Sequence, residues 1–209
     1  MKSSGRRLLM ASTNQKKLKE LQDLLADVPF ELLSLRDFPG VKDVVEDRNT
    51  FLENARKKAL SFARQTGCLT LADDSGLTVD CLDGAPGVYS ARYAGPEKND
   101  LRNCEKLLKA LEGVPNGKRG AAFQCAIALA SPEQVFATVE EDVRGRVAHQ
   151  MKGRGGFGYD PLFFYPEFGK TFAEIPSSQK HLVSHRGKAL RKVKEILKGY
   201  LESQTILGS

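Results

Sequence analysis

The chain has 209 residues, of which 41% are hydrophobic and 28% charged, with 19 glycines and 9 prolines spread along it. That suits one domain, or one domain with a small lobe, with a core of its own, and excludes a disordered or collagen-like protein. The net charge of +6 resides in residues 180–198, where Lys180, Arg186, Lys188, Arg191, Lys192, Lys194 and Lys198 face one acid, Glu195.

Residues 7–11 predict a first strand, which runs through Ser12-Thr13-Asn14 into a helix with Leu18, Leu21, Leu24 and Leu25 on one face. A second strand is predicted over 30–35, followed by a polar loop to Asn49. Thr50-x-x-Glu53 is a capping-box signature, and the helix it opens carries Leu52, Ala55, Ala59 and Phe62 before stopping at Gly67. A short strand over 69–72 leads into Asp73-Asp74-Ser75-Gly76. The turn-rich Asp83-Gly84-Ala85-Pro86-Gly87 follows, then a helix near 100–111. Residues 121–130 and 135–147 predict two long strands joined as a hairpin by Ser131-Pro132-Glu133. A glycine-rich loop over 153–158 enters a strand at 161–165. The last helix starts near Ser184, with Leu190, Val193, Leu197 and Leu201 facing inward. Strands alternating with helices, then a hairpin, predict an α/β protein with a mixed, twisted β-sheet flanked by helices, forming a single domain over 1–209.

No apolar run is long enough to cross a membrane, and the opening MKSSGRR has no apolar stretch behind its charges, so a cytoplasmic protein without a signal peptide is expected. Cys68, Cys81, Cys104 and Cys125 form no CxxC pair, and His149, His181 and His185 are too few for a His-rich metal site. Any metal must be held by oxygen. There is no GxxxxGK[ST] run, which excludes a P-loop. Gly153-x-Gly155-x-x-Gly158 matches GxGxxG but leads into a strand rather than a helix, so it is not a dinucleotide-binding turn.

Four other constellations carry chemistry. Ser12-Thr13-Asn14-Gln15-Lys16-Lys17 brings hydroxyl, amide and ammonium groups to a helix N-terminus, where free N–H groups and the dipole favour an anion. The same residues also suit an ordinary N-cap with surface lysines. Asp73-Asp74 sets two acids side by side at a strand end. Mg²⁺, which takes one or two carboxylates with waters and phosphate oxygens, would relieve their repulsion, and an acid left over can take a proton from water. The plain alternative is an Asp-rich turn. Glu46 or Asp47 would add a ligand, and Lys58, on one helix face with Asn54, either points at phosphate or is one more surface lysine. Finally, Phe157-Gly158-Tyr159-Asp160 offers a flat ring, free backbone and an acid for a planar base, or else ordinary core aromatics. Lys180 and Ser184-His185-Arg186-Gly187 place donors at a helix start, where the dipole disfavours cations and an electron-rich ligand would explain them.

Taken in order, these blocks resemble the inosine triphosphate pyrophosphatase family, the noncanonical purine NTP pyrophosphatases. The resemblance runs from about residue 9 to 197 and rests on Ser12-Thr13-Asn14-x-x-Lys17, Phe51-Leu52-Glu53-Asn54-Ala55, Ala72-Asp73-Asp74-Ser75-Gly76-Leu77, Gly84-Ala85-Pro86-Gly87 with Tyr89-Ser90-Ala91-Arg92-Tyr93, Gly156-Phe157-Gly158-Tyr159-Asp160-Pro161 and Ser184-His185-Arg186-Gly187. It implies Mg²⁺-dependent hydrolysis of ITP, dITP and XTP to the monophosphate and pyrophosphate by a homodimer, with the nucleotide in a cleft between two lobes. Ser12, Thr13, Asn14, Gln15, Lys16, Lys17 and Lys58 would then bind the triphosphate. Asp74 would be general base and metal ligand with Glu46, and Ser75 would contact substrate. Phe157, Gly158, Tyr159, Asp160, Lys180, His185 and Arg186 would form the base pocket. Where such proteins usually carry Glu-Thr-Gly, this chain has Glu46-Asp47-Arg48-Asn49; Glu46 is placed by its distance from Glu53, with Asp47 the alternative. The competing expectations are a pyrophosphatase for modified pyrimidine nucleotides and a nucleic-acid-binding module built on the basic last helix. No aromatics interleave with that helix's charges, so no nucleic-acid partner is expected, and the lack of a membrane-length apolar run argues for no membrane partner.

Overall fold

Parallel strands need a crossover to return the chain, and the first third of the sequence supplies two. In the computed structural model, which describes residues 6–207 (side chains to 203), strand β1 (Arg7–Met10) pairs in parallel with β2 (Glu31–Ser34) and with β3 (Leu69–Val79). Leu9 lies opposite Leu33 on one side and Thr70 on the other. Helix α1 (Gln15–Leu25) links β1 to β2, and α2 (Phe51–Thr66) links β2 to β3. Leu18, Leu21 and Leu25 of α1 are buried and Leu24 is half-buried, the apolar face read from the spacing. Helix α2 starts as its sequence dictates: the Glu53 N–H donates to Thr50 Oγ1 at 3.1 Å, and the Thr50 hydroxyl donates to the Glu53 carboxylate at 2.9 Å. It ends at Gly67, whose φ of 69° a glycine adopts without strain.

Strands β4 (Gly120–Ala130), β5 (Val135–Val147), β6 (Phe163–Tyr165) and β7 (Lys170–Thr171) complete one seven-stranded sheet of order β2-β1-β3-β4-β5-β6-β7. The β5–β6 and β6–β7 pairs are antiparallel, so the sheet is mixed, and helices flank it. The other helices are α3 (Asp100–Ala110), α4 (Ser177–Val183) and α5 (His185–Leu207). Among the described residues no helix is long and apolar enough to cross a membrane.

Three expectations are corrected. Asp73-Asp74-Ser75-Gly76 is neither turn nor loop: β3 continues through it to Val79. The β1 register ends at Met10 opposite Leu71, and beyond it β3 runs on with β4 as its other neighbour in the sheet, whatever its side chains prefer. Strand β6 starts at Phe163 rather than 161, because Leu162 and Phe163 both donate their N–H to Tyr159 O in a tight turn. Helix α4 has no counterpart in the sequence reading; its seven residues are too few to show a helical period.

The chain divides into two compact units. One comprises residues up to Asp74, Ala126–Glu140 and the chain from Lys188 onward; its buried side chains include Leu8, Met10, Leu21, Phe62, Leu71, Ile127, Leu190 and Val193. The other comprises Ser75–Cys125 and Glu141–Gly187, with a core of Leu77, Leu107, Phe123, Val143, Leu162, Phe163 and Phe172. Within this second core Arg119 is buried. Its guanidinium donates to the carbonyls of Val147 and Leu111 at 2.8 Å and of Ala148 at 3.0 Å, which ties α3's end to the strand. Gly76 is required where it stands: a Cβ there would collide with the Ser90 side chain and approach Gly87 O to 2.7 Å. The segment 87–90 is held that close because Ser90 Oγ accepts the Leu77 N–H at 2.9 Å and donates to Gly87 O at 2.6 Å.

Candidate active site

In the first unit, one lysine gathers the acids. Lys58, on α2, is 8% exposed and donates to Glu46 at 2.5 Å and to the Asp73 carbonyl at 2.6 Å, with the Asp74 carboxylate at 3.8 Å. Lys17, on α1, holds the Asp73 carboxylate at 3.0 Å. Burial works against the Lys58 cation, but the charges of Asp74, Glu46 and Asp73 outweigh it and hold its pKa above the ordinary lysine value. For Asp74 burial prevails instead. Burial raises its carboxyl above the usual aspartate value, opposed by Lys58 and Lys17 and reinforced by Glu46 and Asp73.

The loop that carries Glu46 is pinned by α2. The amide of Asn54, fully buried, accepts the Arg48 N–H at 3.0 Å and donates to the Arg48 carbonyl at 3.4 Å. Gln65 clasps Lys42 in the same way, at 2.8 and 3.1 Å. Asn54 and Lys58, one turn apart, therefore act as a pair: one fixes the loop, the other takes the acid it presents. Asp47 points elsewhere, to Lys57 at 2.7 Å, with its side chain half exposed. The 46/47 ambiguity of the sequence is thus a difference in position, with Glu46 among the other acids and Asp47 outside them. The sequence reading put Asn54 on Lys58's face but missed its clasp on the loop, which no local pattern signals.

Three carboxylates against two lysines leave the cluster one negative charge in excess. Among the described residues no three His, Cys, Asp or Glu groups form a ready cage for a metal. That donor set fits a cation which takes one or two carboxylates and completes its shell with water and phosphate oxygens, as Mg²⁺ does. At the start of α1, Asn14 accepts the N–H groups of Lys16 at 3.0 Å and Lys17 at 3.2 Å, and Ser12 Oγ accepts that of Asn14 at 3.2 Å. Two of the helix's terminal donors are thus capped by Asn14, the N-cap arrangement that these residues also suit. Thr13, Gln15 and Lys16 are exposed, and the Gln15 amide donates to Thr13 O at 3.3 Å.

In the second unit, Phe157 is half-buried, with Lys180 Nζ 4.8 Å and the Arg186 guanidinium 5.6 Å from its ring centroid. Lys180, 4% exposed, donates to Asp160 Oδ2 at 2.8 Å, and the Phe157 N–H donates to the same oxygen at 2.8 Å. Arg186, 2% exposed, donates to Ser75 Oγ at 2.8 Å. The His185 ring is buried and stacked on Phe123 with centroids 4.9 Å apart. Tyr159 is a core residue whose hydroxyl donates to Ser90 O at 2.9 Å, and burial raises its pKa far above the ordinary phenol value.

These positions correct two readings. The backbone of 157–158 is not free, since the Phe157 N–H is taken by Asp160 and the Gly158 N–H by Asp100 at 2.9 Å. Residues 180–198 are also not one basic surface. Lys180 and Arg186 are buried on Asp160 and Ser75, Lys194 pairs with Asp27 at 2.5 Å and Lys198 with Glu195 at 2.8 Å. A polyanion would meet fewer free charges there than the count of lysines and arginines suggests.

Comparison with known proteins gives one answer. The sequence model of the Ham1 family matches residues 8–196. A dITP/XTP pyrophosphatase of Desulforamulus reducens is 53% identical over 191 residues, which cover 91% of this chain and 95% of that protein. One from Geobacter sulfurreducens is 52% identical, covering 91% and 96%. Among solved structures, a HAM1 protein from Coxiella burnetii superposes with a TM-score of 0.85 at 41% identity, covering 93% of this chain and 99% of its own. A nucleoside-triphosphatase / dITP/XTP pyrophosphatase from Mycobacterium abscessus does so with 0.73 at 42%, covering 90% and 97%.

Proposed function

Because the chain belongs to the Ham1 family, we propose that it hydrolyses the noncanonical purine nucleoside triphosphates ITP, dITP and XTP to the monophosphate and pyrophosphate. It is a hydrolase of the α–β phosphoanhydride, acting in the cytoplasm as a homodimer that cleanses the nucleotide pool. The observation that carries the chemistry is the group of buried Lys58, Asp73 and Asp74 with part-buried Lys17 and Glu46, which combines phosphate-binding cations with a carboxylate of raised pKa.

Water attacks the α-phosphorus. A new P–O bond forms, the bond to the bridging oxygen breaks, and pyrophosphate leaves with that oxygen. Asp74 accepts the water's proton, and its raised pKa makes it a stronger acceptor than an ordinary aspartate. Lys17 and Lys58 oppose the charge of the phosphoryl groups, with Thr13 and Asn14 at the same helix start orienting them. Glu46 and Asp74 would hold Mg²⁺, which supplies charge neutralisation on the phosphate oxygens when bound. No serine or cysteine is needed as a nucleophile; burial, with Asp100 and Asp160 nearby, pushes the Cys104 thiol up to about 12, which leaves it a poor one.

The second unit supplies the chemistry for the base. The Phe157 ring is a stacking face, and Lys180 and Arg186 bring donors to it. Hypoxanthine and xanthine present a 6-oxo acceptor where adenine presents an amino donor, so these cations satisfy the former and leave adenine unmatched.

Pyrophosphate release from ITP, XTP, GTP, ATP and dTTP, each with and without Mg²⁺, tests this reading. Release from ITP and XTP alone, and only with metal, is expected. Equal rates on all five would overturn the base selection, and release from none would overturn the enzymatic reading itself.

A further inference from the structure

The loop bearing Phe157 has glycines at 153, 155, 156 and 158, a composition that leaves the backbone many conformations unless it is tied down. The ring is half-buried, with Lys180 Nζ and the Arg186 guanidinium against its face. From inside the loop, Asp160 holds the Phe157 N–H. From outside, Ala173 O accepts the Gly155 N–H at 3.0 Å, and the hold on Gly158, next to the ring, comes from one face of α3. Asp100, the first residue of that helix, accepts the Gly158 N–H at 2.9 Å, and Cys104, one turn on, donates its S–H to the Gly158 carbonyl at 3.4 Å. Residues four apart on a helix share a face, so both backbone groups of one loop residue are gripped by a single rigid element.

The details suit that task. Gly158 has φ of 58°, and a Cβ there would meet nothing within 4 Å, so the glycine serves backbone conformation and not space. Asn99 caps the helix through the Arg102 N–H at 3.0 Å, which leaves the Asp100 carboxylate to the loop at the end of the helix where the dipole favours an anion. The thiol of Cys104 stays protonated across the working pH range and so remains a donor. Buried Asn103, between the two, fixes α3 by accepting the Ala94 N–H at 2.7 Å and donating to Ala91 O at 3.1 Å.

We propose that Asp100 and Cys104 are positioning residues for base recognition, clamping Gly158 and thereby setting where the Phe157 ring stands. Neither touches the nucleotide. The inference rests on the reading above that Phe157 stacks on the base, and it assigns α3 a part in specificity that its place in the core does not by itself require.

The test compares Asp100→Ala, Asp100→Asn, Cys104→Ala and, as a control, Leu107→Ala on the same helix. Two readouts are used: steady-state kinetics on ITP with Mg²⁺, and hydrogen exchange of the Gly158 amide by NMR. Asp100→Ala raises KM for ITP about tenfold while kcat stays within about twofold, the pattern of lost binding without lost chemistry. It also speeds exchange at Gly158. Asp100→Asn, whose amide oxygen still accepts, recovers most of both effects. Cys104→Ala shifts KM in the same direction by less. Leu107→Ala, fully buried in the wild type, lowers the melting temperature and leaves KM in place.

A folded Asp100→Ala with wild-type KM overturns the clamp, as does a Leu107→Ala whose KM rises equally. These results presuppose that the wild-type protein turns over ITP. If it does not, the functional reading falls and takes this inference with it, a result distinct from an unmoved KM in the variants.

Discussion

Replacing Lys58 by methionine keeps a stem of similar length and removes the cation around which the acids gather. The wild-type ammonium is nine-tenths buried, bonded to Glu46 and the Asp73 carbonyl, with the Asp74 carboxylate 3.8 Å away. At an effective dielectric of about 20, a charge pair at that last distance is worth about 4 kcal/mol before the cost of burying the charges is set against it. Breaking a buried pair by removing one partner costs about 3–5 kcal/mol in practice. Glu46 keeps 28% of its side chain exposed and can turn toward water, which places the loss at about 3 kcal/mol, the low end of that range. For a protein of this size that lowers the melting temperature by about 6–12 °C. Thermal unfolding of the K58M protein measures it directly. Two further arms test the cause. Adding Glu46→Gln removes one stranded charge and raises the melting temperature of the single variant, and Mg²⁺ raises it more in K58M than in the wild type, because the excess of acid has grown. A K58M protein that melts within about 2 °C of the wild type, or a double variant less stable than the single, refutes the view that Lys58 neutralises these carboxylates.

Asp74→Asn preserves size and fold and lowers kcat on ITP by about 10³-fold or more, since an amide accepts no proton from water; single-turnover kinetics at saturating Mg²⁺ check it. Arg186→Ala raises KM for ITP by at least about tenfold, and loss of a buried charged hydrogen bond to Ser75 also costs about 2 kcal/mol of stability, read by KM and thermal melting together. Arg119→Met strips the donor from three carbonyls held at 2.8, 2.8 and 3.0 Å and destabilises by about 3–5 kcal/mol, while KM of the folded fraction is unchanged. Of the four thiols only Cys81 is exposed, so mass spectrometry after brief native alkylation finds Cys81 modified and Cys68, Cys104 and Cys125 protected until denaturant is added.

What the sequence by itself determined is local. Thr50 and Glu53 cap α2 because their contacts span three residues and few dihedral angles; Asn14 caps α1 for the same reason. The leucine spacing of α1 marks its buried face, and the segments read as strands at 121–130 and 135–147 match the long strands within a residue. The order of the chemical blocks also sufficed to suggest the family. Tertiary structure decided which charges meet. Asp73 and Asp74 sit inside a strand that continues past its last β1 partner, Leu71, with β4 as its other neighbour, a condition set by residues far along the chain. Lys58 takes Glu46 rather than Asp47 because Asn54 fixes the loop at Arg48, and a difference of one position in an extended loop reverses the side to which an acid points. The sequence marks Lys180 and Arg186 as donors near a helix start and does not single out Arg119; each is buried on oxygen atoms supplied by other elements. A charge can be buried only where the whole fold brings a partner to it, and the identity of that partner is a property of the packed chain and not of the residue's neighbours in sequence.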